Sequence, residues 1–94
     1  MGTVYINMHP RYDYAMAIID GFVDVRDYVR DTEWLCWAPS PKGKRQIMIS
    51  RVYGVPEGES QRGDRVEEFV KYVKQLGAEV LTRDERGDAW QEWD

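Results

Sequence analysis

The side chains with the plainest chemistry crowd the middle of the chain. Lys42, Lys44, Arg45 and Arg51 fall within a stretch that holds no acid, residues 42–51. Cations at that density suit contacts to phosphate oxygens, and nearby aromatic rings suit the stacking of unpaired bases. Trp34 and Tyr53 flank the cluster in sequence, and Tyr5 lies on an alternating segment that turns it away from Val4 and Ile6. Lys42, Lys44, Arg45, Arg51, Tyr5, Trp34 and Tyr53 are therefore the candidate contacts to RNA or another single strand. The same four cations also make an ordinary solvated turn.

A second set of residues points to proteins. The chain has 4 tryptophans in 94 residues, and tryptophan is enriched where interfaces concentrate their binding energy. Trp34 and Trp37 are three apart, so in a strand they point to opposite faces and one of them meets a surface, a cleft or another subunit. Trp37, Trp90 and Trp93 are the candidate protein-binding residues. Asp13, Asp20, Asp24, Asp27 and Asp31 offer an acidic surface that either suits a basic partner or is simply solvated.

Other chemistry is excluded by shortage. Cys36 is the only cysteine and His9 the only histidine, so no internal disulfide, no Cys/His zinc site and no Cys-His pair outside these two residues can be built. No nucleophile lies in a recognisable motif and no catalytic pair stands at a diagnostic spacing. The expectation is a non-enzymatic module without metal or cofactor. A net charge of -4 opposes non-specific binding to DNA or anionic membranes. With 43% apolar and 32% charged residues, the chain is too apolar for disorder and too interrupted by charge for a membrane span. No export signal is legible at the N-terminus, so a cytoplasmic location is expected.

The length fits one core. The elements that must position these residues begin with a strand over Thr3–Met8, where Val4, Ile6 and Met8 share a face. Pro10 suits the first turn of a helix, Ala15, Ile18 and Ile19 form its stripe, and Gly21 stops it. Phe22 to Arg30 reads two ways. A helix would carry like charges four apart at Asp20/Asp24, Arg26/Arg30 and Asp27/Asp31, whereas a strand turns Val23 and Val25 inward; the strand is favoured. Glu33 to Ala38 and Gln46 to Val55 read as a hairpin with a basic tip. Asp64 caps a helix whose buried stripe is Val66, Phe69, Val70, Val73 and Leu76, with Gly77 as its stop. Ala78 to Arg83 is a last strand, and residues 84–94 are an acidic tail holding Trp90 and Trp93, beyond a domain of residues 1–83.

The fold class is thus α+β, a small mixed sheet or pseudo-barrel with two helices in the order β-α-β-β-β-α-β. If Phe22 to Arg30 is helical, the alternative is a ferredoxin-like β-α-β-β-α-β sandwich. His9-Pro10-Arg11-Tyr12, then Ala15, Ile18, Ile19 and Gly21, then Asp24-x-Arg26 and Trp37-Ala38-Pro39, resembles the ASCH domains of the PUA-like superfamily. The resemblance implies a small pseudo-barrel that binds RNA or modified nucleosides, and Gly21, Asp24 and Arg26 are the positions it carries over. The family's lysine after its glycine is absent, since Phe22 and Val23 follow Gly21. Val4-Tyr5-Ile6 also resembles the first-strand signature of RNA-recognition motifs, though Gln46 to Tyr53 lacks the glycine and paired aromatics of their third strand. Two classes stay open: a module for RNA or single-stranded nucleic acid, and a protein-binding module such as an inhibitor, an adaptor or a homodimer.

Overall fold

The computed structural model describes residues 2–8, 13–40, 43–51, 64–83 and 89–93. The first expected strand is present as β1, Thr3–Met8. Val4 and Ile6 are wholly buried and Tyr5 is half-buried on the other side, as a period of two requires.

The segment expected to be the first helix is instead a strand, β2, Tyr14–Asp20. It pairs antiparallel with β1 from Thr3↔Asp20 to Met8↔Ala15, and on its other side with β4, Arg45–Ser50. Alanine and methionine favour helix locally, but a strand bonded on both edges gains two ladders and overrides that small preference. Gly21 does adopt the left-handed conformation expected of a stop, with φ 91°, but it ends a strand.

The next expectation fails in the opposite sense. Residues 22–25 are irregular and Arg26–Asp31 is a helix, α1, not the favoured strand. Val25 and Val29, one turn apart, are both buried and Val29 N–H donates to the Val25 carbonyl at 2.9 Å. The like-charge pairs four apart are offset by opposite charges: the Arg30 guanidinium lies 3.3 Å from Asp27 and 2.8 Å from Asp31.

The hairpin is as expected in its described part: β3, Leu35–Ala38, pairs antiparallel with β4 from Leu35↔Ile49 to Ala38↔Gln46. The second helix, α2, spans Asp64–Gln75 and buries Val66, Phe69, Val70 and Val73. Leu76 falls beyond it and is 48% exposed rather than part of the stripe. Gly77, at φ 90°, closes the helix: its N–H reaches the Lys74 carbonyl and that of Ala78 the Val73 carbonyl, the paired bonds of a Schellman stop. The side chain of Asp64 lies outside the described residues, and its cap with it.

The strand β5, Glu79–Arg83, runs parallel to β1, and a short β6, Gln91–Glu92, pairs antiparallel with β5. The strand order is β3-β4-β2-β1-β5-β6. The result is the expected α+β class, a mixed sheet with two helices. Both helices pack on one face, where Phe69, Ile6, Ile47, Ile49, Val4 and Val25 form the heart of the core. No helix among the described residues is long and apolar enough to cross a membrane.

Candidate functional site

The sheet has two unlike faces. One carries the core. On the other, the pairing registers set side chains in rows that cross all or most of the strands. One row reads Ala38, Gln46, Ile18, Tyr5, Leu81, Glu92, and the next Cys36, Met48, Met16, Asn7, Arg83. Residues of one row share a face because side chains alternate along each strand. Ile18, Met16, Met48, Leu81 and Tyr5 are half-buried and Cys36 is exposed. They are absent from the partly buried side chains that pack on the core, Met8, Tyr28, Trp34, Tyr72, Ala78 and Trp93. Among the described residues no helix lies over these rows.

The tail joins this face. Trp90 meets Tyr5 edge-on, ring centroids 5.1 Å apart at 68°, and the Arg83 guanidinium lies over the indole at 4.3 Å. Arg83 is fixed in turn by its Nε donating to the Asn7 side-chain oxygen at 3.1 Å. Trp93 goes to the opposite face: it packs on the core, its N–H donates to the Val80 carbonyl at 3.0 Å, and its carbonyl accepts from Lys74 Nζ at 2.8 Å. Trp90 and Trp93 flank a strand and are divided by it.

Among the described residues, the basic cluster is not assembled into one surface. Lys42 and Tyr53 lie outside the described residues, as does His9. Lys44 is half-exposed with Nζ 3.5 Å from the Asp20 carboxylate. Arg45 donates to the Gly21 carbonyl at 3.1 Å. Arg51, which the phosphate reading needs at the surface, is only 7% exposed and follows β4 on the side of Ile47 and Ile49. Trp34 stands apart from Tyr5, on the helix side, with Tyr28 edge-on at 6.3 Å and the Arg65 guanidinium over its ring at 5.2 Å. Trp37 is 45% exposed, but its register with Ile47 puts it on the same side of the sheet as Trp34, so the expected split between opposite faces is not found. Trp37 meets the surface because β3 is an edge strand.

Gly21 and Asp24, in the connection between β2 and α1, and Arg26, the first residue of α1, are all exposed. Arg26 pairs with Asp24 at 3.3 Å through its side chain and its backbone N–H. That pairing holds the Asp24 carboxyl below its ordinary range. Of the residues the ASCH resemblance carries over, Asp24 and Arg26 thus bond to each other at the start of a helix, where the resemblance implied a strand. Among the described residues no group of acids, His and Cys could hold a metal ion.

Sequence reasoning missed Met16, Ile18, Met48, Leu81 and Arg83. Both faces of β2 are apolar, so its period of two is hidden, and Ile18 was assigned to the stripe of a helix. A run of apolar residues without a polar phase, read as a central strand, is the signal that would have found them. Comparison with protein-family models, with curated proteins and with solved structures gives no match.

Proposed function

We propose that this chain is a non-enzymatic protein-binding module whose docking surface is the face of the sheet opposite the helices. The observation that carries this reading is the pair of rows centred on Met16, Ile18, Met48, Leu81 and Tyr5. Contiguous apolar surface of this kind on a folded domain marks an interaction site. Methionines adapt to a partner's shape and the aromatic pair supplies anchoring area. Binding to a polyanion is less well supported, because Arg45 is engaged within the chain and Arg51 is buried.

The test compares the wild type with Ile18→Glu, a change on an exposed face that leaves the core alone. At sub-micromolar protein, the apolar dye ANS should brighten on the native wild type and much less on the variant, with circular dichroism unchanged in both. A single-stranded RNA oligonucleotide should give no salt-sensitive binding at micromolar concentration. Salt-sensitive RNA binding that is lost on charge reversal of Lys42, Lys44 and Arg45, with no dye response, would replace this reading with the nucleic-acid one.

A further inference from the structure

The sheet face does not have to wait for a foreign partner, because the row at its end carries opposite charges on the two sides of the sheet's midline. The rows already described are bounded at one end by a third, Lys44, Asp20, Thr3, Glu79, in which Asp20 pairs Thr3 and Thr3 pairs Glu79. Lys44 joins it through its contact with Asp20. This row puts the lysine at β4 and a glutamate at β5. The sheet order β3-β4-β2-β1-β5-β6 places its midline between β2 and β1, with β4 and β5 equally far from it on either side. A two-fold axis along that midline, parallel to the strands, lays β2 over the partner's β1 and β4 over the partner's β5.

Every row then falls on itself reversed. Ile18 faces the partner's Tyr5, Gln46 faces the partner's Leu81, Met16 faces the partner's Asn7, and Lys44 faces the partner's Glu79. Aligned sheets cross at about 30°. At one and a half strand spacings from the axis, about 7 Å, this shifts positions by roughly 4 Å, within reach of a lysine side chain. The six strands span about 25 Å across, and the four central ones, of five to seven residues, about 18 Å along. That plane is roughly 450 Å² before its rim of Tyr14, Ser50 and Trp90 is added, a little over half of the ~800 Å² per partner of a standard interface, so the contact belongs to the weak class. The apolar centre with charges at its margin is the anatomy expected of such a contact.

We infer that the occupant of the open sheet face is a second copy of this chain, packed face to face about a two-fold axis parallel to the strands, with Lys44 of each copy against the partner's Glu79. This rests on the docking-face reading and names its partner.

The experiment is sedimentation equilibrium of the full chain from sub-micromolar to several hundred micromolar concentration, for the wild type, Ile18→Glu, Lys44→Glu and Glu79→Lys, with circular dichroism as the check on folding. The wild type should pass from monomer to dimer. Ile18→Glu should stay monomeric. Lys44→Glu puts two like-charge contacts into its own dimer, and so does Glu79→Lys, so each should associate at least about tenfold more weakly. An equimolar mixture of these two variants restores an opposite-charge pair at both contacts, and should dimerise as the wild type does. A dimer whose mixed variants gain nothing over either alone overturns this axis. A wild type that stays monomeric throughout overturns the second copy as occupant; if the dye still reports the face in that case, the docking reading survives without it.

Discussion

The indole of Trp90 stands edge-on to the ring of Tyr5 at 5.1 Å, joining the last residues of the chain to its first strand. With Arg83 over the indole and Trp93 packed on the opposite face, the tail grips β5 from both sides of the sheet. Removing residues 89–94 should therefore cost about 1–3 kcal/mol, the contribution of two partly buried aromatic side chains. Urea unfolding of the full and shortened chains reads this directly. An unchanged midpoint would mean that the tail adds nothing to the core.

Gly2 is needed for space. A methyl group built on it would lie 2.5 Å from Val23 Cγ2 and 2.8 Å from the Asp20 backbone oxygen. The backbone there is bonded, with the Gly2 carbonyl accepting from the Glu79 N–H at 3.1 Å. Gly2→Ala should destabilise by about 1–3 kcal/mol, the usual range for overpacking. At Gly77 the space is open but φ is +90°, so Gly77→Ala should cost about 1–2 kcal/mol through backbone strain alone. Thermal or urea unfolding measures both, and a neutral Gly2→Ala would show that this corner relaxes freely.

Tyr28 predicts an alkaline dependence. It stacks on Tyr72 at 4.0 Å and 10°. Burial first, then the Glu68 carboxylate and Tyr72, push its phenol above the ordinary tyrosine value. The folded state thus keeps a proton that the unfolded chain releases, so stability falls as pH rises through the unfolded tyrosine pKa and levels off above the folded one. Spectrophotometric titration of the phenolate should show one late-titrating tyrosine, absent in Tyr28→Phe. Superimposable titrations of the two proteins would refute it.

How far the sequence could be read depended on whether local pattern and tertiary pairing agreed. They agree in β1, where Val4 and Ile6 alternate with polar neighbours, and in α2, where a 3.6-residue stripe ends on Gly77 in a left-handed conformation. They disagree in Tyr14–Asp20, whose alanines and methionine favour helix while its place between β1 and β4 demands a strand. They disagree again in Arg26–Asp31, where Arg30 pairs with both Asp27 and Asp31, opposite-charge contacts that a count of like charges four apart leaves out. The candidate site was only partly legible for the same reason. Tyr5 and Trp90 were each singled out, but nothing in the spacing of positions 5 and 90 shows that they touch. Ile18 and Met16 became surface residues only once β2 was a strand.

The most direct test of a covered sheet face uses Cys36, which is exposed in the row of Met48 and Met16. The measurement is the rate at which a thiol reagent in excess modifies it, as a function of protein concentration. If a second copy closes over the face, mass action makes protection grow with concentration. The wild-type rate should fall several-fold between sub-micromolar and several hundred micromolar protein, while the rate for Ile18→Glu stays at the dilute value throughout. A wild-type rate independent of concentration over that range would contradict it.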